Sequence, residues 1–119
     1  MAVKGDIEDG RSSQGEIPDS PRGLKGHDFE DWLARNYNGR ARVKYESREF
    51  DVEYDGHLIE AKSGWSAKSI HDFQSIAGEQ FKIANRLGKI FEVHSNVPIP
   101  SEVKLWLEAK RVPYVEHLW

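Results

Sequence analysis

Asp51, Glu60 and Lys62 are the residues of this chain whose types and spacing suggest chemistry. They lie in two runs, Glu-Phe-Asp-Val-Glu-Tyr over 49–54 and His-Leu-Ile-Glu-Ala-Lys over 57–62, separated by Asp55-Gly56. Asp-Gly between alternating runs is a two-residue hairpin turn. With that turn as the loop, Tyr54 pairs with His57 and Asp51 falls opposite Glu60. Lys62 shares their face because side chains alternate with period two. This register predicts an apolar face of Phe50, Val52, Ile59 and Ala61, and a charged face of Glu49, Asp51, Glu53, Glu60 and Lys62. Two opposed carboxylates repel unless a cation lies between them, and Mg²⁺ takes carboxylate oxygens while keeping several waters. Such an ion polarises a phosphoryl oxygen and acidifies an attacking water, and a neighbouring ammonium holds that water or meets charge growing on the phosphate. Three charges on one hairpin face also describe a solvated surface, but a surface hairpin more naturally pairs unlike charges across its strands.

The elements that must position these groups are readable from periodicity. A helix is expected over 28–37, with Phe29, Trp32, Leu33 and Tyr37 on one stripe, Asp28 as N-cap and Asn38-Gly39 as exit. A strand is expected over 41–45. After the hairpin, a long helix is expected over 67–87, with Ile70, Phe73, Ala77, Phe81, Ala84 and Leu87 as its stripe and Gly88 as its stop. Gln80 interrupts that stripe with a polar group. A strand over 90–94, a helix over 101–111 capped by Ser101, and an edge strand over 113–117 complete the chain. The order α-β-β-β-α-β-α-β predicts an α/β layered domain with a mixed central sheet and flanking helices.

Composition bounds the rest. The chain has 119 residues, 17 Lys+Arg, 20 Asp+Glu, five His and no Cys. That length suits one domain with a real core. The lack of Cys excludes disulfides, thiolate zinc sites and a thiol nucleophile. No apolar run is long enough to span a membrane, and the N-terminus lacks a signal-peptide pattern. Residues 1–22 are rich in Gly, Ser, Pro and acids and read as a flexible tail or linker remnant, leaving 23–119 as the domain. The net charge of −3 argues at first against a nucleic-acid partner. Over 1–21, however, only Lys4 and Arg11 face Asp6, Glu8, Asp9, Glu16 and Asp19, so this stretch accounts for the whole excess.

Phe50-Asp51 followed by Glu60-Ala61-Lys62-Ser63-Gly64 resembles the core of the PD-(D/E)XK nuclease superfamily, whose pattern is an acid ending one strand and (D/E)-x-K on the next. The α-β-β-β-α-β order resembles that superfamily's core as well. Arg48-Glu-Phe-Asp51, Glu60-Ala-Lys-Ser-Gly64, Gly78-Glu-Gln80 and Val93-His-Ser-Asn-Val-Pro-Ile-Pro100 resemble, more narrowly, the restriction-endonuclease-fold toxin domains at the C-termini of bacterial polymorphic toxins. The likeness runs over about 26–114. Phe50 stands where many members carry Pro.

The resemblance implies that Asp51 and Glu60 bind Mg²⁺ or Mn²⁺ and that Lys62 orients the water and stabilises the transition state. It implies that Glu30 is an added helical metal acid and that Gln80 is the polar residue of the following helix. It further implies a DNase effector acting in the bacterial cytoplasm after delivery as part of a larger secreted protein, with a cognate immunity protein. The alternatives are a tRNA-cleaving RNase of the same fold, a degenerate module that only binds nucleic acid or protein, and a calcium-binding hairpin, for which Lys62 is a poor neighbour. Candidate nucleic-acid contacts are Arg40, Arg42 and Lys44 along one strand, with Arg48, Lys68 and Lys82 for phosphates. Trp65 is a candidate for base stacking, and His94 for a phosphate contact.

Overall fold

The hairpin forms as its turn dictates. Asp55 and Gly56 both take positive φ, 47° and 81°, the geometry that joins two twisted strands tightly. A second such turn was not apparent from composition: Glu46 and Ser47 also take positive φ, 53° and 67°, without a glycine. The two turns fold three consecutive strands into a meander, β1 (Arg40–Tyr45), β2 (Arg48–Tyr54) and β3 (His57–Lys62).

The computed structural model describes residues 18–119. Around the meander lie α1 (His27–Asn36), α2 (Ala67–Arg86), β4 (Ile90–Ser95), α3 (Ser101–Ala109) and β5 (Tyr114–Glu116). The sheet order is β1-β2-β3-β4-β5. The first three strands are antiparallel, and β4 and β5 join in parallel. The fold is therefore the expected α/β layered one with a mixed sheet. Helix α1 covers one sheet face, packing Phe29, Trp32 and Leu33 on Val52 and Ile59. Helices α2 and α3 cover the other, packing Ile70, Phe73, Val103 and Leu107 on Phe50, Leu58, Phe91 and Val93. Among the described residues no helix is long and apolar enough to cross a membrane.

Local details depart from the expected pattern. Gly26, at φ 53°, caps α1 rather than Asp28, and Pro100 caps α3 rather than Ser101. Ser66 and Ser69 instead form a reciprocal capping box at the start of α2. The stripe of α2 buries Ile83, while Leu87 lies exposed beyond the helix end. Of the stretch read as tail, residues 1–17 lie outside the described residues. Pro18 accepts a hydrogen bond from Trp32 Nε1 at 3.0 Å, and Pro21 is buried.

The largest correction concerns the faces of the hairpin. The β2–β3 register is the expected one, Tyr54 with His57 and Val52 with Ile59, but the ladder ends there, one step before Asp51 and Glu60. Phe50 and Val52 are two residues apart, yet Phe50 joins the α2/α3 side and Val52 the α1 side. The predicted single apolar face of Phe50, Val52, Ile59 and Ala61 is thus split, because the alternation breaks at Asp51. Its neighbour across the β1–β2 ladder is Arg42, whose φ of 56° is a left-handed kink inside a strand.

Two glycines test this packing. A Cβ on Gly39 would lie 2.4 Å from the Glu53 carbonyl oxygen, whereas one on Gly78 would meet nothing within 4 Å. Gly39→Ala should destabilise the protein by about 1–3 kcal/mol through overpacking, and Gly78→Ala in mid-helix should stabilise it by about 0.5–1 kcal/mol. Thermal melts of both variants check the pair.

Candidate active site

The break in β2 brings three acids together. Where a backbone carbonyl would continue the ladder, Asp51 Oδ2 accepts the Ala61 N–H at 2.8 Å. This draws the Asp51 carboxyl to the splayed end of the hairpin, in contact with Glu60 on β3 and with Glu30, which reaches over from α1. Burial and then the charge of Glu60 push Asp51 up to about 9, against the pull of the Ala61 N–H and with a further contribution from Glu30. Burial also raises Glu60, opposed by the Gln80 hydrogen bond and the Lys62 charge. Crowded carboxyls of this kind cannot all ionise in a metal-free protein.

Each acid is held by a different element. Gln80, on the inner side of α2, donates Nε2–H to Glu60 Oε1 at 3.0 Å and to the Glu49 carbonyl at 3.0 Å. The kink at Arg42 turns its guanidinium toward α1, where Nη1 meets Glu30 at 2.8 Å and Nη2 meets Asp31 at 2.7 Å. Lys62 ends β3 with its ammonium 5.4 Å from the ring centre of Trp65 and 6.0 Å from that of Phe73. Trp65 is fixed edge-on to Phe73 at 5.2 Å, and its Nε1–H points to Ser95 Oγ at 3.3 Å. Lys62 therefore rests on an aromatic corner, a contact favourable to a cation.

Among the described residues no group of three or more His, Asp or Glu stands ready as a metal-ligating set. The pair Asp51 and Glu60 nonetheless suits a hard cation. Both are oxygen donors, Asp51 is held protonated only by crowding and burial, and Gln80 Oε1 beside them is buried with no hydrogen-bond partner among the described residues. Mg²⁺ needs only one or two carboxylates, with water completing its octahedron. Asp51 and Glu60 would hold such an ion, with Gln80 Oε1 next to it and Glu30 adjusting the local charge from its pair with Arg42.

The sequence-predicted residues divide clearly. Asp51, Glu60, Lys62, Gln80 and Glu30 converge at one end of the sheet. The proposed nucleic-acid contacts are more dispersed. Arg42 is committed to Glu30 and Asp31, Arg40 pairs with Glu53 at 2.7 Å, Lys68 pairs with Asp72 at 2.8 Å, and Arg48 pairs with Glu79. Lys44 and Lys82 are exposed and make no ion pair among the described residues. Trp65 is half-buried against the core rather than free to stack. His94 is 1% exposed, so it touches no phosphate as the protein stands.

Sequence reasoning missed what His94 does. Its Nδ1 lies 2.9 Å from His117 Nε2, the rings stacked at 5.0 Å, and its Nε2 faces Glu92 at 3.4 Å. Burial and the neighbouring His94 push His117 down to about 4. Burial raises Glu92, but His94, the Tyr54 hydroxyl at 2.5 Å and His57 together hold it below the usual carboxylate range. The only linear signal was the recurrence of His near the ends of two late strands, which says nothing of contact. No protein-family model, curated protein or solved structure matches this chain.

The crowding predicts a pH effect. The folded chain retains the Asp51 proton up to about 9, while the unfolded chain loses it near its ordinary value of 3.8. Between those limits the folded state binds more protons, so metal-free stability falls as pH rises. Asp51→Asn keeps an oxygen for the Ala61 N–H and removes the charge. At pH 8 without metal its Tm should exceed the parent's by roughly 5 °C or more, about 1 kcal/mol in a domain of this size. Equal melting at pH 5 and pH 8 in both proteins would contradict the crowding.

Proposed function

We propose that the protein is a divalent-metal-dependent nuclease that hydrolyses phosphodiester bonds, with DNA as its substrate ahead of RNA. The observation that carries this reading is the meeting of Asp51, Glu60 and Gln80 with Lys62 at the broken end of one hairpin. The resemblance of Glu60-Ala61-Lys62 and its surroundings to restriction-endonuclease-fold toxin domains supports it. On the same ground, the protein is proposed to be an effector delivered into bacterial cytoplasm, with an immunity protein as partner.

A bound Mg²⁺ or Mn²⁺ would supply Lewis-acid polarisation of the phosphate and an acidified water. The chain's own residues do the rest. Asp51 and Glu60 would hold the cation through their carboxylate oxygens, releasing to solvent the proton that burial and crowding favour on them. Gln80 fixes the Glu60 carboxylate from the α2 side. Lys62 leaves or leans from the Trp65 corner toward the phosphate and meets the negative charge that grows there. Arg42 keeps Glu30 oriented and partly neutralised, which limits repulsion of the incoming phosphate. With Arg40, Arg42, Arg48 and Lys68 already in ion pairs, substrate affinity should come from a few phosphate contacts and depend only moderately on salt.

Purified protein should nick plasmid in Mg²⁺ or Mn²⁺ and not in EDTA, with total RNA and tRNA as parallel substrates. Glu60→Gln and Lys62→Ala should each slow cleavage by about 10²–10⁴-fold, with Glu60→Gln melting like the parent or higher and Lys62→Ala slightly lower, since Lys62 offsets the buried Glu60 charge. Cleavage at the parental rate by Lys62→Ala would overturn the mechanism, and metal-dependent cleavage of tRNA alone would move the substrate to RNA. Trp65→Leu removes the corner under Lys62 and should lower kcat by roughly tenfold with little change in KM, the signature of a positioning residue.

A further inference from the structure

Arg42 stands directly across the β1–β2 ladder from Asp51, between the pairs Ala41–Val52 and Val43–Phe50. A regular strand residue there would keep the period of two, but a φ of 56° turns Arg42 out of it and toward α1. Its guanidinium forks over two carboxylates of that helix, Nη1 on Glu30 at 2.8 Å and Nη2 on Asp31 at 2.7 Å. The pair with Glu30 is sheltered, the Arg42 side chain being 31% and the Glu30 side chain 13% exposed. A left-handed arginine inside a strand is strained, so the fork has to outweigh the kink. Glu30 is also in contact with Asp51. A fixed cation therefore sits one carboxylate away from the place where Asp51 and Glu60 suit a metal.

That position decides how many ions the site can take. Two-ion phosphodiesterase centres hold their ions roughly 3.5–4 Å apart on shared ligands. The charge of Glu30 acts on both Asp51 and Glu60, so a second ion beside that pair would draw on Glu30, with Asp31 behind it. Arg42 already holds an oxygen of each. A guanidinium does not lose its proton in a protein, so it cannot make way by becoming neutral, and pushing it aside would strand a partly buried charge. Charge balance leads to the same result. The carboxylates of Asp51, Glu60, Glu30 and Asp31 face the cations of Arg42 and Lys62. The two negative charges left over match a single divalent ion. A second ion would leave the corner positive before any phosphate arrives.

We infer that Arg42 is the built-in second cation of this site: its guanidinium occupies Glu30, and the protein takes one divalent ion, held by Asp51 and Glu60 without Glu30 as a ligand. The inference rests on the metal-dependent nuclease reading and deepens it, since it fixes the number of ions and gives Arg42 the role of a fixed charge. It also accounts for the kink, which aims that charge at α1 instead of leaving it along the strand.

Counting ions tests this without any cleavage. Mn²⁺ left free in solution is measured by its electron paramagnetic resonance signal as metal is added to the folded protein. The parent should bind about one ion per chain. Arg42→Gly keeps the left-handed backbone at no steric cost and frees Glu30, so it should bind about two. Arg42→Gly combined with Glu30→Gln should return to about one. Melting gives a second readout. Without metal, Arg42→Gly should melt below the parent, because Glu30 loses its partner. Saturating Mn²⁺ should raise its Tm more than the parent's, because the second ion takes the place of the guanidinium. Arg42→Asn, which also tolerates positive φ, repeats both measurements. About two ions on the parent, about one on the Arg42 variants, or variants whose fold Mn²⁺ does not restore would overturn the inference and leave the nuclease reading standing. No Mn²⁺ on the parent would remove the metal site itself, and both readings with it.

Discussion

The structure turns on one hydrogen bond, the 2.8 Å contact from the Ala61 N–H to the Asp51 carboxylate. It replaces a rung of the β2–β3 ladder with a side chain and thereby ends the ladder at Val52 and Ile59. A regular hairpin would have set Asp51 and Glu60 on a flat, wet face. The break instead draws Asp51 inward, between α1 and α2, where it meets Glu60 and Glu30. Buried like charges are costly, and here that cost is concentrated where Asp51, Glu60 and Glu30 meet.

Much of the surrounding architecture serves this corner. The left-handed Arg42 opposite the break sends its guanidinium to Glu30 and Asp31, so one irregular residue both accommodates the kink and balances an acid. Gln80 crosses from α2 to bind Glu60 and the Glu49 carbonyl, which ties the helix to both strands of the hairpin. Local strain and buried polarity of this kind gather where function asks for them. The net charge follows the same logic. The basic residues of β1 and β2 are largely spent on internal acids such as Glu53, Glu30 and Glu79. They do not form an open phosphate-binding stripe.

The opposite face carries a second polar system, built from Glu92, His94 and His117 and bordered by Asn96. It has no counterpart in the catalytic pattern read from the motifs. Glu92 stands 3.4 Å from His94 Nε2, and the other ring nitrogen of His94 lies 2.9 Å from His117, so three titratable groups share one buried line. Hydrogen-bond accounting of this sort requires every donor to be followed to its partner. The sequence offers only the residue types.

What the chain determined by itself is considerable. Hydrophobic period and turn chemistry sufficed for the element order, the hairpin register at Asp55-Gly56, the stripe of α2 with Gln80 within it, and the approach of Asp51 to Glu60. These are local properties, set by neighbours within a few residues. The tertiary structure decided the rest: the parting of Phe50 from Val52, the turn of Arg42 away from solvent, the seat of Lys62 on Trp65 and Phe73, and the burial of His94 against His117. Each depends on which distant segment arrives to fill a space or satisfy a polar atom. A period of two states where a strand residue should point; only the packed neighbours determine whether the strand keeps that period.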